Sequence, residues 1–143
     1  MLYLFSSPKK TQAFALKAVT NFIDTNLVCL YGDLGSGKTT FVQGLAKKLG
    51  VKEEVRSPSF NLIREYKINS KKLSSFKYLV HIDCYRLNSN KDFKSVDVKE
   101  YWQNKRNLVV IEWAEKVKSI LPKQRLDLEF FHVDQNKRMI KVL

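Results

Sequence analysis

Residues 27 to 50 read LVCLYGDLGSGKTTFVQGLAKKLG. Within them Gly32 to Thr39 matches G-x-x-x-x-G-K-[ST], the pattern of a phosphate-binding loop. The flanks suit it. Leu27 to Tyr31 is an apolar, partly β-branched run that enters as a strand, and Phe41, Val42, Leu45 and Leu49 then recur at helical spacing until Gly50 stops the helix. All 5 glycines of the chain lie between Gly32 and Gly50.

The residue types follow from the chemistry. Gly32, Gly35 and Gly37 allow positive φ and a close approach of the main chain to a polyphosphate, so that successive N–H groups face the anion at the positive end of a helix. The amides of this glycine loop are therefore the candidate phosphate contacts. Lys38 supplies a charge for the β and γ phosphates, and the Thr39 hydroxyl suits a Mg²⁺ ion that keeps most of its waters. The competing reading is a glycine-rich strand-to-helix turn that happens to carry a lysine.

With 143 residues the chain is expected to be a single domain, residues 1 to 143. Its net charge of +12 fits a polyanionic partner such as tRNA, or an acidic protein surface; scattered lysines on a solvated surface read the same way. Cys29 and Cys84 lack metal-ligand spacing and do not suggest a disulfide framework, so a reducing cytoplasmic location is expected. The apolar start, Met1 to Phe5, is too short for a signal peptide or a membrane span.

Outside the loop the pattern alternates between strands and helices. Leu2 to Phe5 reads as an edge strand and Ser6 to Lys10 as a turn, followed by the helical stripe Phe14, Ala15, Ala18, Val19, Phe22 and Ile23. A helix starting near Thr11 would set that hydroxyl beside a nucleotide base. Ser57-Pro58-Ser59-Phe60 is either an ordinary turn or a switch segment that senses the γ-phosphate through its hydroxyls. Asn61 to Ile68 reads as an antiparallel strand, Phe76 to Asp83 as a strand ending in an acid, and Asn88 to Trp102 as one or two short helices. Leu108 to Ile111 is continuously apolar, as in a strand covered on both faces. Val117 to Leu121 suggests a short helix stopped by Pro122, and Leu126 to Val133 with Met139 to Leu143 a final hairpin.

In open α/β sheets ligands bind beyond the carboxyl ends of the strands, where Asp83 and Glu112 each follow an apolar run. Glu112 ends the more thoroughly apolar and so more central strand, which assigns it to the metal opposite Thr39; Asp83 would position the attacking water or bind a metal water. Either acid is also compatible with a cap or an ion pair. Trp113 reads as core or as a sensor beside Glu112, Arg86 as an ion pair or a phosphate contact, and His81 and His132 as packed or surface imidazoles.

GDLGSGKTT at Gly32 to Thr40, SPSF at Ser57 to Phe60, HIDCYRL at His81 to Leu87 and EWAE at Glu112 to Glu115 resemble, in order and spacing, the TsaE (YjeE) family. The resemblance implies a P-loop NTPase-like three-layer α/β sandwich with a mainly parallel central sheet and antiparallel C-terminal strands. It also implies a cytoplasmic ATPase component of the bacterial machinery that makes threonylcarbamoyladenosine in tRNA, binding ATP or ADP with Mg²⁺ and working with the TsaB and TsaD proteins. Carried onto this chain, it supports Gly35 to Thr40 for the phosphates, Thr39 and Glu112 for the metal, Asp83 with Lys38 and Glu112 in hydrolysis, and Thr11 and Arg138 near the nucleotide. Ser59 in place of the usual threonine, Cys84 in place of leucine, and the missing glycine in Asn88 to Trp102 are mild departures. A small-molecule kinase and a nucleotide-gated RNA-binding module are the alternative functions.

Overall fold

The computed structural model describes residues 1–57, 62–71, 73, 75–87 and 98–143. Strands β1 (Leu2–Phe5), β2 (Leu27–Tyr31), β3 (Ile63–Lys67), β4 (Tyr78–Asp83), β5 (Asn107–Glu112), β6 (Leu126–His132) and β7 (Arg138–Val142) form a 7-stranded sheet in the order β1-β7-β6-β2-β5-β4-β3. Helices α1 (Pro8–Phe22), α2 (Lys38–Lys48) and α3 (Lys99–Gln103), with a 3-10 helix at Ala114–Ile120, connect them. β6, β2, β5 and β4 run parallel to one another, and β7, β1 and β3 pair antiparallel at the two sides.

The central position of β5 follows from its composition. Leu108 and Val110 pack on the α1 and α2 side with Val28, Leu30, Phe41 and Leu45, while Val109 and Ile111 face Cys29, Ile82, Trp102 and Val117 on the other side. A strand buried on both faces has no polar alternation to keep. Buried Asn26 joins the starts of β2 and β5, its side-chain amide donating to the carbonyls of Trp102 at 3.0 Å and Asn107 at 2.9 Å. Nothing in the local sequence pattern announces that tie.

Two expectations are revised. The turn expected at Ser6 to Lys10 is already helix from Pro8, because Ser7 caps the first turn by accepting from the Lys10 N–H at 3.3 Å and proline suits the first helical position. The helix expected at Val117 to Leu121 is a 3-10 segment that begins earlier, at Ala114. The final hairpin is present, and its first arm, β6, also runs parallel to β2. Pro58 to Asn61 and most of Asn88 to Trp102 lie outside the described residues; α3 covers the end of the latter.

α1 and α2 cross where Gly44 meets the Gln12 backbone. A Cβ on Gly44 would stand 2.4 Å from the Gln12 Cα and 2.6 Å from its carbonyl oxygen, atoms that cannot rotate away. Gly44→Ala is therefore expected to destabilise the fold by about 1–3 kcal/mol despite alanine's better helix propensity. A lower urea midpoint at an unchanged slope is the readout, and an unchanged midpoint would refute the close crossing.

Candidate functional site

The loop between β2 and α2 is held in an open, donor-rich shape. Gly32 has φ 136°, and a Cβ there would lie 2.5 Å from the Phe130 carbonyl oxygen, so no side chain fits. Gly37, the N-cap of α2, has φ 104° and offers no side chain to cap the helix, whose first turn carries no acid. The amides of that turn are thus free of side-chain acceptors and aimed where an anion would sit. Lys38 is buried, its ammonium donating to the carbonyls of Gly32 and of Asp33, the latter at 2.9 Å, and standing 4.1 Å from the centre of the Trp113 ring. Burial holds its pKa below the usual lysine value, with the Glu112 carboxylate pulling the other way.

The two acids meet at the ends of adjacent parallel strands, where Asp83 is the register partner of Glu112. Glu112 is 2% exposed, and its Oε1 accepts from the Thr39 hydroxyl at 2.8 Å. That contact joins the loop helix to the central strand. It sets a hydroxyl and a carboxylate, both hard oxygen donors, side by side beyond the sheet, a donor set that suits magnesium. Asp83 is half-buried; its Oδ2 accepts from the Ser57 hydroxyl at 2.5 Å and its Oδ1 from the Tyr85 N–H at 2.9 Å. The segment after α2 therefore reaches one of the acids, as a switch segment would, through Ser57.

Both groups open onto a cavity of about 430 Å³, a size usual for cofactor sites. Gly35, Ser36, Gly37, Lys38, Thr39 and Thr40 line it, together with Asp83, Glu112, Ser57 and Trp113. Thr11 and Arg138 stand in the same cavity, with Lys38, Thr39, Asp83 and Glu112, whereas Arg86 does not line it. Thr11 is buried at the start of α1, its hydroxyl 3.5 Å from the Ser7 carbonyl. Arg138 comes from the start of β7 and donates from Nε to the Gly35 carbonyl at 2.9 Å.

Other residues enter the site without a sequence signal of their own. Pro8, Tyr85, Gln135 and Asn136 complete the walls of the cavity. Trp113 takes a left-handed backbone, φ 58°, which turns the chain sharply off β5 and sets its ring against Lys38 and, at 5.0 Å, against Tyr85. His81 is a packed imidazole as expected, and its Nε2 lies 2.5 Å from Glu112 Oε2. A histidine two residues before a strand-terminal acid, on the same face, is the pattern that would have pointed to it. The thiols of Cys29 and Cys84 are buried and unpaired in disulfides, and burial pushes Cys84 up to about 12 and Cys29 higher still, so neither is a nucleophile near neutral pH.

A glycine loop between strand and helix, faced by acids at the ends of neighbouring parallel strands, defines a P-loop NTPase-like α/β fold. Residues 5–140 match the family described as Threonylcarbamoyl adenosine biosynthesis protein TsaE. Among curated relatives, the tRNA threonylcarbamoyladenosine biosynthesis protein TsaE of Bacillus subtilis is 33% identical over 94% of this chain and 79% of its own length. The protein of the same name from Borreliella burgdorferi is 32% identical over 99% and 98%. A crystal structure of Bacillus subtilis YdiB superposes with a TM-score of 0.76 at 27% identity, covering 99% of this chain and 83% of that one. The chain belongs to the TsaE family.

Besides Gly35, the Arg138 guanidinium donates to the carbonyls of Asp134, at 2.7 Å, and Lys137, at 2.9 Å, and so ties the loop to the β6–β7 turn. Replacing it by alanine removes one net hydrogen bond from the loop, about 0.5–1.5 kcal/mol. Amide hydrogen exchange of residues 34–37 in Arg138→Ala is expected to speed up by roughly two- to tenfold while the β5 amides keep their rates. Equal exchange in the loop of both proteins would show that the tether does not hold it.

Proposed function

We propose that this chain is a magnesium-dependent ATPase that serves the synthesis of threonylcarbamoyladenosine in tRNA together with TsaB and TsaD proteins. The observation that carries this reading is the contact of Thr39 with Glu112 directly above the phosphate loop. There the hydroxyl donates to the carboxylate and keeps its lone pairs for a cation. The names of the matched family and relatives support the pathway. The +12 charge supports contact with tRNA through the basic surface. No helix among the described residues is long and apolar enough to cross a membrane.

In this reading the α2 amides and Lys38 hold the polyphosphate of ATP. To reach the phosphates, the Lys38 ammonium exchanges the Gly32 and Asp33 carbonyls for phosphate oxygens. Thr39 and Glu112 would hold magnesium, which supplies neutralisation of charge on the transferring phosphoryl group. Among the described residues no group of three or more His, Cys, Asp or Glu side chains is arranged to hold a metal ion, which fits a cation shared with phosphate and water. Asp83, beside Glu112, orients the attacking water, and hydrolysis yields ADP and inorganic phosphate. Ser57 on Asp83 links that acid to the segment following α2.

Magnesium-dependent phosphate release from ATP by the purified chain is the test. Lys38→Ala is expected to abolish saturable binding of a fluorescent adenine nucleotide, and Glu112→Gln to retain binding while lowering turnover by roughly a hundredfold or more, the scale of a lost electrostatic stabiliser. Addition of TsaB and TsaD should raise the wild-type rate. Absence of hydrolysis with the partners present, or phosphate appearing on a metabolite in place of water, would overturn the reading.

A further inference from the structure

The buried imidazole of His81 is the group around Glu112 that the reading above does not use. His81 is 0% exposed and Glu112 2%, and the Nε2 to Oε2 distance of 2.5 Å makes this, among the described residues, one of the two side-chain hydrogen bonds that hold the carboxylate, Thr39 making the other. The Nδ1 atom has no hydrogen-bond partner among the described residues. A proton on Nδ1 would therefore be a buried, unpaired donor, so the proton belongs on Nε2, where it is donated to Glu112. A histidine with one nitrogen unsatisfied is a poor space-filler at a position where a leucine or valine would pack without that cost. What it does contribute is a second, fixed point on the carboxylate.

The terminal torsion of a glutamate is broad and roughly two-fold, so a single hydrogen bond from Thr39 leaves the carboxylate plane free to turn. Held at Oε2 from β4 and at Oε1 from α2, the plane is set, and with it the direction in which the Thr39 hydroxyl donates. We propose that His81 is a positioning residue: by donating from Nε2 to Glu112 it presets the carboxylate and the Thr39 hydroxyl for magnesium bound with the nucleotide. This rests on the reading of the site as a magnesium-nucleotide site. Partners of this kind, behind the oxygen donors of a metal, typically change affinity by about 10–100-fold when removed.

The length of the side chain separates positioning from packing. His81→Gln places an amide N–H near the Nε2 position, whereas His81→Asn stops short of Glu112; both are polar and smaller than histidine, so they differ chiefly in whether Glu112 keeps this hydrogen bond. Binding of N-methylanthraniloyl-ADP is measured with and without magnesium, and the magnesium concentration at half-effect is the readout. The three proteins are expected to bind the nucleotide alike without magnesium, His81→Gln to keep a near wild-type magnesium requirement, and His81→Asn to need about tenfold more or beyond. Wild-type binding that depends on magnesium, with Gln and Asn variants that do not differ in their requirement, overturns the role of His81 alone. Wild-type protein that binds no nucleotide overturns it together with the reading on which it rests.

Discussion

A carboxylate at the end of a strand buried on both faces must find hydrogen bonds within the protein, since water reaches only 2% of Glu112. It receives them from Thr39 on α2 and His81 on β4, two elements that flank β5 in space and are far apart in the chain. The loop helix, the central strand and its neighbour are thereby fixed relative to one another at the point where the cavity opens. Loss of one partner would leave a charge both buried and under-satisfied, which costs far more than a surface ion pair is worth. The same requirement that stabilises the sheet end thus determines where the oxygen donors point.

The parallel arrangement of β2, β5 and β4 makes that convergence possible. Parallel neighbours finish at the same edge, so Leu30, Glu112 and Asp83 share one register row and the phosphate loop begins two residues past it, at Gly32. The adjacent β6–β7 hairpin serves another purpose. β7 starts at the same edge from the opposite direction, which delivers Arg138 to the loop, and β6 supplies the Phe130 carbonyl that leaves room only for a glycine at Gly32. The loop is therefore shaped by its own glycines from within and by the hairpin from outside.

Two features carry the price of this geometry in conformational terms. Trp113 occupies the left-handed region directly after Glu112, a costly choice for a bulky residue that persists because the chain must leave β5 at once to clear the cavity. Lys38 is buried among carbonyls and against that indole, which lowers its affinity for a proton while keeping the ammonium within reach of the loop. Both belong to the cavity wall, where local strain and desolvation are tolerated because the surrounding sheet is tightly packed.

Much of this was legible from residue order. The spacing of Gly32, Gly35, Gly37, Lys38 and Thr39 between an apolar run and a helical stripe specifies the loop, since that chemistry is local to one turn of chain. The unbroken apolarity of Leu108 to Ile111 identified the central strand, because burial on both faces removes polar alternation, and so ranked Glu112 ahead of Asp83 for the place opposite Thr39. The start of α1 was misjudged because Ser-Pro reads equally as a turn and as a helix entry until the chain is folded. What tertiary structure alone decided were the pairings across the chain: His81 with Glu112, Ser57 with Asp83, Arg138 with Gly35 and Asn26 with the start of β5. A sequence pattern reports which face a residue takes, through periods of two or 3.6, whereas such contacts depend on strand order and register, which are set by the packing of the whole sheet.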